Sequence, residues 1–373
     1  MPDAPRVCYV VNAVDGGSIP GEVAAAVTER TPFDVDVLAW FDADPVPGLD
    51  IDVDCLDAPD TTLGADRQSL RALREHLRAS DLVHVHHNHS GAIAKLVARA
   101  QGTPLVSTEH NEHRGFTRQG RLVNGLTNPL ADRVTCVSAA VRDSFARWER
   151  LLLDDDRVEV VHNGVDTDRI ERVLAEDDPP TDGDRTAADT LVVASGGRLT
   201  TQKGYDTLLR GFAAAARRLD RPAELRLTGD GPLREELETL AGHLGVADQV
   251  RFLGFLPDRE DVYRVMAAAD LYAVPSRWEG FCVAVPEAMV AGTPCLLSDI
   301  PVFRELYDGA AAYHAVNDET ALADELVALA GDEERRATLV DEGRSLVRSR
   351  YTLAATARRY AATYRDVLGL EPA

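Results

Sequence analysis

Short apolar segments alternate with longer amphipathic segments along the 373-residue chain. Segments such as LVVAS and VEVV are apolar at consecutive positions, which predicts strands that are covered on both faces. The segment 205–219 instead has four apolar residues at helical spacing: Leu208, Leu209, Phe212 and Leu219. Buried strands that alternate with amphipathic helices are typical of parallel sheets, so the predicted fold class is α/β with two doubly wound domains.

The predicted strands form two sets. The first set is 6–11, 34–39, 81–85, 104–108, 133–137 and 158–161. The second set is 191–194, 224–228, 249–253, 271–274, 295–298 and 312–316. Between them the composition changes at AEDDPPTDGDRTAAD, residues 175–189, which is acidic and has little to bury.

This change predicts the domain boundaries. We expect a first Rossmann-like domain over residues 1–170, an acidic linker region over 171–190 and a second Rossmann-like domain over 191–350. The last segment, 351–373, is predicted to be a helix that crosses back to the first domain. Ligands of parallel sheets bind at the carboxyl ends of the strands, so we expect function in the interdomain cleft.

The composition indicates the environment of the protein and excludes one class of partner. The net charge is −22, and Lys95 and Lys203 are the only lysines in the chain. This composition is typical of a protein from a salty cytoplasm, so we expect a halophilic archaeal source and no nucleic acid partner. The chain contains no apolar run of membrane length, and its N-terminal segment lacks a basic leader, which predicts a cytoplasmic protein. Five cysteines without a CxxC pair indicate reduced thiols.

The first predicted strand of the second domain continues into SGGRLTTQKG, residues 195–204. Gly197 lets the backbone approach a ligand, Arg198 and Lys203 supply positive charge, and the next helix directs its amide end to the same place. This combination fits a phosphate or a diphosphate. The spacing is neither that of a P-loop nor that of a dinucleotide fingerprint. The alternative is a glycine turn with two solvated cations, against which the scarcity of lysine argues.

Two carboxylates frame WEGFCVAVPEAM, residues 278–289. Pro286 predicts a helix start and Gly292 its end, so Glu287 falls in the first turn, where the helix dipole favours its charge. Glu279 lies upstream in a loop that follows a predicted strand. Both acids can then face one ligand, with sugar hydroxyls as their natural donors. The alternative is two unrelated acids, and the pair alone does not decide between the two interpretations.

Four motifs occur in order in the second half: SGGRLTTQKG, LTGDGPLREELE, VRFLGFLP and PSRWEGFCVAVPEAMVAGTPCLLSDIP. Together they resemble the C-terminal domain of the family 4 retaining glycosyltransferases, the glycosyl transferases group 1. The first half is similar to the same family through DGGS, DLVHVHHN, STEHN and VHNGVD. The resemblance implies the GT-B fold, in which two Rossmann-like domains face a cleft. It also implies retention of anomeric configuration without a metal or another cofactor.

In the second domain, the resemblance implies a donor site for a UDP-, GDP- or ADP-sugar. Arg198 and Lys203 would bind the diphosphate and neutralise it as it leaves. Glu279 would hold the donor sugar, together with the amides of Phe281, Cys282 and Val283. Glu287 would bind the ribose, and the base would lie beside the backbone of Phe255 and Leu256. The chain departs from the family at Cys282, where many members have a smaller residue.

In the first domain, the resemblance implies a glycine loop at Gly16 and Gly17 that faces the diphosphate, and a contact of His110 with the transferred sugar. The catalytic set is then His110, Arg198, Lys203 and Glu279.

The segment HRGFTRQGRLVNGLTNPLA, residues 113–131, contains no acid. Its three arginines, Arg114, Arg118 and Arg121, lead us to expect an anionic acceptor or a lipid phosphate at the membrane surface. A packed helix with solvated arginines is the alternative.

Two other patterns could indicate a metal. The run HVHHNH, residues 84–89, contains four histidines, and Asp-x-Asp pairs such as Asp34/Asp36 recur. We predict no metal site, because an acidic chain forms such pairs by chance and a role for one histidine in lining a cleft is the simpler interpretation.

The predicted function is transfer of a sugar from a nucleoside diphosphate donor to a hydroxyl acceptor on a glycan, a lipid or a small molecule. Two alternatives remain: a sugar-nucleotide epimerase of similar fold, and a catalytically silent nucleotide-sugar-binding subunit. An epimerase needs acid and base groups around one sugar carbon, and a silent subunit shows binding without turnover.

Overall fold

The computed structural model describes residues 4–14, 18–43, 51–59, 65–86, 88–176 and 189–371. The chain divides into two compact units. The first unit consists of residues 1–164 together with 353–373, and the second unit spans 165–352. The unit that contains the N-terminus therefore also contains the C-terminus.

The first unit is a parallel sheet covered by helices. Its described strands run in the order β3-β2-β1-β4-β5-β6-β7. The strands are β1 (Arg6–Val14), β2 (Asp34–Ala43), β3 (Val53–Cys55), β4 (Leu82–Val85), β5 (Leu105–Glu109), β6 (Arg133–Cys136) and β7 (Val158–Val160). The helices are α1 (Ile19–Arg30), α2 (Arg67–Arg78), α3 (Asn88–Gln101), α4 (Arg118–Thr127), α5 (Ala139–Asp143) and α6 (Arg147–Leu152).

The second unit repeats this plan. Helix α7 (Thr167–Glu176) precedes a parallel sheet whose described strands run in the order β10-β9-β8-β11-β12-β13. The strands are β8 (Leu191–Gly196), β9 (Ala223–Thr228), β10 (Val250–Gly254), β11 (Leu271–Val274), β12 (Cys295–Ser298) and β13 (Ala312–His314). The helices are α8 (Tyr205–Ala216), α9 (Arg234–Leu244), α10 (Arg259–Ala267), α11 (Ala284–Ala291), α12 (Pro301–Tyr307), α13 (Glu319–Gly331) and α14 (Glu333–Arg350).

The last helix, α15 (Leu353–Leu368), completes the core of the first unit. Tyr360 and Tyr364 are fully buried there. The hydroxyls of Tyr364 and Tyr9 are 2.6 Å apart, so the C-terminal helix is hydrogen-bonded to the central strand β1. The last helix therefore belongs to the first unit.

The doubly wound α/β fold is confirmed in both units, and every predicted strand has a counterpart. Consecutive apolar positions identify these strands because both sheet faces are covered; Val7 to Val11, for example, are all fully buried. The edge strand β3 was missed, since its sequence VDC is too short and too polar to show a pattern. All five cysteines carry free thiols, as predicted.

The junction between the units differs from the predicted boundaries at 170 and 190. Helix α7 buries Ile170 and Val173 and packs against α10 and α11, so it belongs to the second unit. The predicted boundary divides this helix between the first domain and the linker, because the composition changes only near the end of the helix. Residues 177–188 of the predicted linker lie outside the described residues.

Replacement of Tyr360 by Ala should destabilise the first unit. The ring is 1% exposed and its hydroxyl lies 3.2 Å from the Thr108 hydroxyl, so the change removes a core side chain and a hydrogen bond. We expect a loss of about 3–5 kcal/mol in the free energy of unfolding, measured by urea denaturation of the full chain. Arg358→Ala, on the exposed side of the same helix, is the control and should change it by less than about 0.5 kcal/mol. A Tyr360→Ala loss as small as the control's would contradict a core role for α15.

Candidate active site

An ion pair in the second unit forms the centre of the candidate site. Lys203 Nζ donates to Glu279 Oε1 over 2.7 Å, and Ser276 Oγ donates to the same oxygen over 2.8 Å. Gln202 Nε2 lies 3.3 Å from the other carboxylate oxygen. Glu279 is only 5% exposed, so a charged carboxylate is held out of water by three donors. Sequence analysis did not find Gln202 or Ser276, because neither residue type is distinctive in a loop.

The fold brings Lys203 and Glu279 together from two adjacent parallel strands. Lys203 ends a short 3-10 turn, Thr201–Lys203, that follows β8, and Glu279 lies beyond the end of β11. Strands β8 and β11 are hydrogen-bonded neighbours. Both side chains therefore lie at the carboxyl edge of the sheet, where ligands of such sheets bind.

The surroundings of Lys203 keep its side chain charged. Burial by itself lowers the pKa of Lys203, but the adjacent Glu279 carboxylate raises that pKa above its ordinary value. The ammonium group is therefore charged at neutral pH. Burial raises the pKa of Cys282 to about 12, so the thiol, whose sulfur lies 3.8 Å from Lys203 Nζ, is neutral.

Two glycines give the loop between β8 and α8 its close packing. Gly197 has φ +134°, and a Cβ at this position would lie 3.3 Å from Lys203 Cε. Gly204 has φ +67°, and its Cβ would lie 2.2 Å from the carbonyl oxygen of Pro275. A side chain at either glycine would therefore displace Lys203 or the loop that leads to Glu279. Arg198, directly after Gly197, is exposed.

The second predicted carboxylate has an arginine partner. Helix α11 begins at Ala284, two residues before the predicted start, and Glu287 still lies in its first turn. Glu287 is 4% exposed and accepts from Arg259 Nε over 3.0 Å and from Arg259 Nη2. The helix ends at Gly292 in the left-handed conformation, as predicted. Sequence analysis missed Arg259, although it lies only three residues after the segment implied to hold a base.

Cys282 has a backbone conformation that non-glycine residues rarely adopt, with φ +64°. It lies between Phe281, which is 2% exposed, and Val283, which precedes the first residue of α11. The segment implied to present its amides to a donor is thus anchored by a buried ring on one side and a helix on the other. Phe255 is 62% exposed, and Leu256 is partly buried, in the loop that follows β10.

In the first unit, His110 belongs to a row of histidines. His110 Nε2 lies 3.0 Å from His86 Nδ1, and the ring centroids of His86 and His84 are 4.0 Å apart. His84 uses both ring nitrogens within the core, with Tyr364 Oη and Thr108 Oγ1 each 2.6 Å away. Burial lowers the pKa of His84 well below its ordinary value, so this ring is neutral. Within the described ranges, no group of three or more His, Cys, Asp or Glu residues could hold a metal ion.

Comparison with known proteins decides the family. The sequence profile described as "Glycosyl transferases group 1" matches residues 183–346, and the profile "Glycosyltransferase Family 4" matches residues 27–169. The chain is 30% identical over 292 residues to the phosphatidyl-myo-inositol mannosyltransferase of Mycobacterium leprae, an alignment that covers 77% of this chain and 74% of the relative. The chain belongs to glycosyltransferase family 4.

One further relative and one solved structure are similar to this glycosyltransferase. The α-D-kanosaminyltransferase of Streptomyces kanamyceticus is 28% identical over 303 residues, which are 76% of this chain and 77% of the relative. The crystal structure of Anabaena HepE in complex with UDP and glucose is similar in fold, with a TM-score of 0.79 and 19% identity, over 97% of this chain and 100% of HepE. The predicted GT-B fold is confirmed.

A buried polar cluster lies directly beside His110 in the glycosyltransferase and was not predicted. Glu109 Oε1 accepts from Asn124 Nδ2 and Asn128 Nδ2 over 2.7 and 2.8 Å, and Glu109 Oε2 lies 3.2 Å from His113 Nε2. Burial would raise the pKa of Glu109, but His113 and Lys95 hold it at about 2. The cluster fixes the segment that carries His110. Its members lie on separate elements between residues 95 and 128, and their spacing forms no recognisable motif.

Two of the three predicted acceptor arginines have carboxylate partners in the glycosyltransferase. Arg114 Nη2 donates to Glu112 over 2.9 Å, and Arg121 Nε lies 3.5 Å from Glu149. Both acids lie outside the acid-free segment 113–131, so the sequence pattern did not include them. Arg118, the first residue of α4, is exposed. The predicted glycine loop at Gly16 and Gly17 lies outside the described residues.

The left-handed backbone at Cys282 should reverse the usual order of stability, in which an alanine variant is more stable than a glycine variant. Alanine normally gives the more stable protein, but a Cβ in this conformation costs roughly 1–2 kcal/mol and glycine does not incur that cost. We expect the free energy of unfolding of Cys282→Gly to exceed that of Cys282→Ala by about 0.5–1 kcal/mol. Urea denaturation of both variants measures the difference. A Cys282→Gly protein clearly less stable than Cys282→Ala would argue against the observed backbone.

Proposed function

We propose that this glycosyltransferase transfers a sugar from a nucleoside diphosphate sugar to a hydroxyl acceptor, with retention of configuration and without a metal. The observation that carries the proposal is the buried ion pair of Lys203 and Glu279 at the carboxyl edge of the second sheet. It provides a fixed positive charge for a diphosphate and, beside it, a carboxylate that can accept from sugar hydroxyls. HepE, which has the same fold, binds UDP and glucose.

The proposed reaction depends on electrostatics at the leaving group. Negative charge develops on the diphosphate as the bond to the sugar breaks, and Lys203 and Arg198 are the cations proposed to stabilise it. Because Glu279 holds Lys203 in place over 2.7 Å, little reorganisation is needed at the moment of reaction. His110 is proposed to contact the transferred sugar, and the route of retention is left open.

The remaining proposed contacts hold the ribose, the base, the phosphates and the sugar of the donor. Glu287, at the start of α11, is proposed to bind the ribose, and the backbone at Phe255 and Leu256 is proposed to contact the base. The amides of Phe281, Cys282 and Val283 are proposed to hold the donor phosphates and sugar near the same helix terminus, where the dipole favours anions. Gly197 would allow the donor to approach the backbone closely.

Nucleotide binding tests the donor site. Thermal shifts with UDP-, GDP- and ADP-sugars, in molar salt with EDTA, should reveal a stabilising donor. Lys203→Ala and Arg198→Ala should each weaken its binding about 10- to 100-fold, because a hydrogen bond between charged groups is lost. Each shift is compared with the same variant without ligand, since Lys203→Ala also leaves Glu279 buried without its partner.

Arg218→Ala is the control for this experiment, because Arg218 forms an exposed ion pair with Asp324 in the same unit. Its nucleotide shift should equal that of the unchanged protein. Unaltered nucleotide binding in both Lys203→Ala and Arg198→Ala would refute the donor site. Turnover with the best donor, followed by NMR of the product anomer, separates transfer with retention from epimerisation and from silent binding.

We further propose that the acceptor side of the first unit faces an anionic membrane surface. Helix α4 packs against both α3 and α6. These three helices carry six exposed large apolar side chains. We call these residues the apolar surface: Leu96, Leu122, Leu126, Trp148, Leu151 and Leu152. Helix α6 has the sequence RWERLL, and its single acid, Glu149, is fully buried while both of its arginines are exposed. None of the described helices has the length and apolar character that a bilayer crossing needs.

Exposed apolar residues and arginines together are typical of interfacial binding. Arg147→Gln with Arg150→Gln should weaken sedimentation with vesicles that contain phosphatidylglycerol, by roughly fivefold for each arginine, since each contributes about 1 kcal/mol. Leu151→Ser with Leu152→Ser should weaken binding at every salt concentration. Leu370→Ser, at another exposed leucine, is the control. Vesicle binding that none of these α6 changes affects would exclude this surface.

A further inference from the structure

Arg259 is a buried arginine whose guanidinium contacts one of the two candidate-site carboxylates. Its Nε lies 3.0 Å from Glu287 Oε1, and its Nη2 donates to the same oxygen. Nε also lies 3.2 Å from Tyr263 Oη. The side chains of Arg259 and Glu287 are 15% and 5% exposed, so the contact is almost fully removed from water.

The position of Arg259 in the chain joins two parts of the proposed nucleotide site. Arg259 is the first residue of α10 and follows directly on the loop 255–258, in which Phe255 and Leu256 are proposed to contact the base. Glu287 lies in the first turn of α11, which packs against α10. One side chain therefore connects the helix behind the base segment to the acid proposed for the ribose.

Helix α10 is itself fixed at this end. Asp258 caps it, with its carboxylate accepting from the backbone N–H of Glu260 over 2.9 Å. Arg169 of α7 lies 3.6 Å from the Glu260 carboxylate. The backbone from which Arg259 extends is thus held by a cap and by a neighbouring helix, so the guanidinium reaches Glu287 from a defined origin.

The chemistry of the pair favours a geometric role. A guanidinium is planar and carries several donors in a rigid fork, so two of its nitrogens on Oε1 of Glu287 hold that oxygen in a defined position. A buried ion pair adds little net stability, because the cost of removing both charges from water offsets their attraction. We therefore attribute to the pair the positioning of the Glu287 carboxylate, and not a contribution to stability.

We propose that Arg259 is a positioning residue for nucleotide recognition. It holds the Glu287 carboxylate in the orientation that accepts hydrogen bonds from the ribose hydroxyls, in register with the base held by the loop 255–258. The inference rests on the proposed function, because it requires that a nucleoside diphosphate occupies this site.

The test measures how strongly the protein depends on the ribose hydroxyls. Dissociation constants for UDP, GDP and ADP, and for the 2′,3′-dideoxy analogue of each, are determined by calorimetry on the full chain in molar salt. We expect the unchanged protein to prefer the hydroxylated form of the nucleotide it binds by about 10- to 100-fold, because hydrogen bonds to a charged acceptor are lost. In Arg259→Gln this preference should fall to less than about fivefold, with weaker binding of the hydroxylated nucleotide.

Three further variants complete the design. Glu287→Gln should lower the preference in the same way, and adding Arg259→Gln to it should change nothing more, since the two residues act as one unit. Arg259→Lys, which keeps the charge and loses the fork, should give an intermediate preference and decides the question if Arg259→Gln does not fold. Arg226→Gln is the matched control, because Arg226 and Glu224 form a similarly buried pair at 2.7 Å on β9, and its preference should equal that of the unchanged protein.

The outcomes separate this inference from the function on which it rests. If none of UDP, GDP and ADP binds the unchanged protein, the proposed function fails and the inference fails with it. If a nucleotide binds with the expected preference and both Arg259→Gln and Arg259→Lys retain that preference, the inference alone fails. Tighter binding by Arg259→Gln would also overturn it, since Arg259 would then compete with the ribose for Glu287.

Discussion

The candidate site depends on the cost of keeping charge away from water. Glu279 and Glu287 are both nearly inaccessible, and each is matched by a cation, Lys203 and Arg259 respectively. A buried carboxylate without a partner would be strongly unfavourable, so the fold must deliver each cation to within hydrogen-bonding distance. The parallel sheet does this by ending β8 and β11 side by side, and the packing of α10 on α11 does it for the second pair. The packing of the strands and helices therefore also places the cations beside the two buried carboxylates.

Both lysines in this acidic chain serve such buried carboxylates. Lys203 contacts Glu279 in the second unit, and Lys95 lies in the cluster around Glu109 in the first, with its Nζ 2.5 Å from Asn128 Oδ1. Burial lowers the pKa of Lys95 to about 8, so the lysine keeps its charge over most of the physiological range. A strongly acidic surface can lose its lysines without loss of structure, whereas these two positions need a compact ammonium group inside the protein.

The fold could be predicted almost completely from sequence, because strands covered on both faces are apolar at every position and helices are apolar at only some. The predicted bounds of β11 and β12 agree with the structure at both ends. The site could be predicted only where a residue type is informative in itself: a rare lysine, a glycine before it, or an acid near a helix start. Arg259, Gln202 and Ser276 were missed because arginine, glutamine and serine are ordinary in loops, and only the fold brings them to the carboxylates. Glu149, whose Oε1 lies 2.9 Å from His113 Nδ1, was missed because it lies 36 residues further along the chain.

The route of the chain gives α15 a role in the order of biosynthesis. The strands of the first sheet are translated long before the helix that supplies Tyr360 and Tyr364 to their core. The second unit, residues 165–352, is complete before that helix leaves the ribosome. The strands of the first sheet are therefore synthesised well before two tyrosines of their own core, whereas the second unit is synthesised as one uninterrupted stretch.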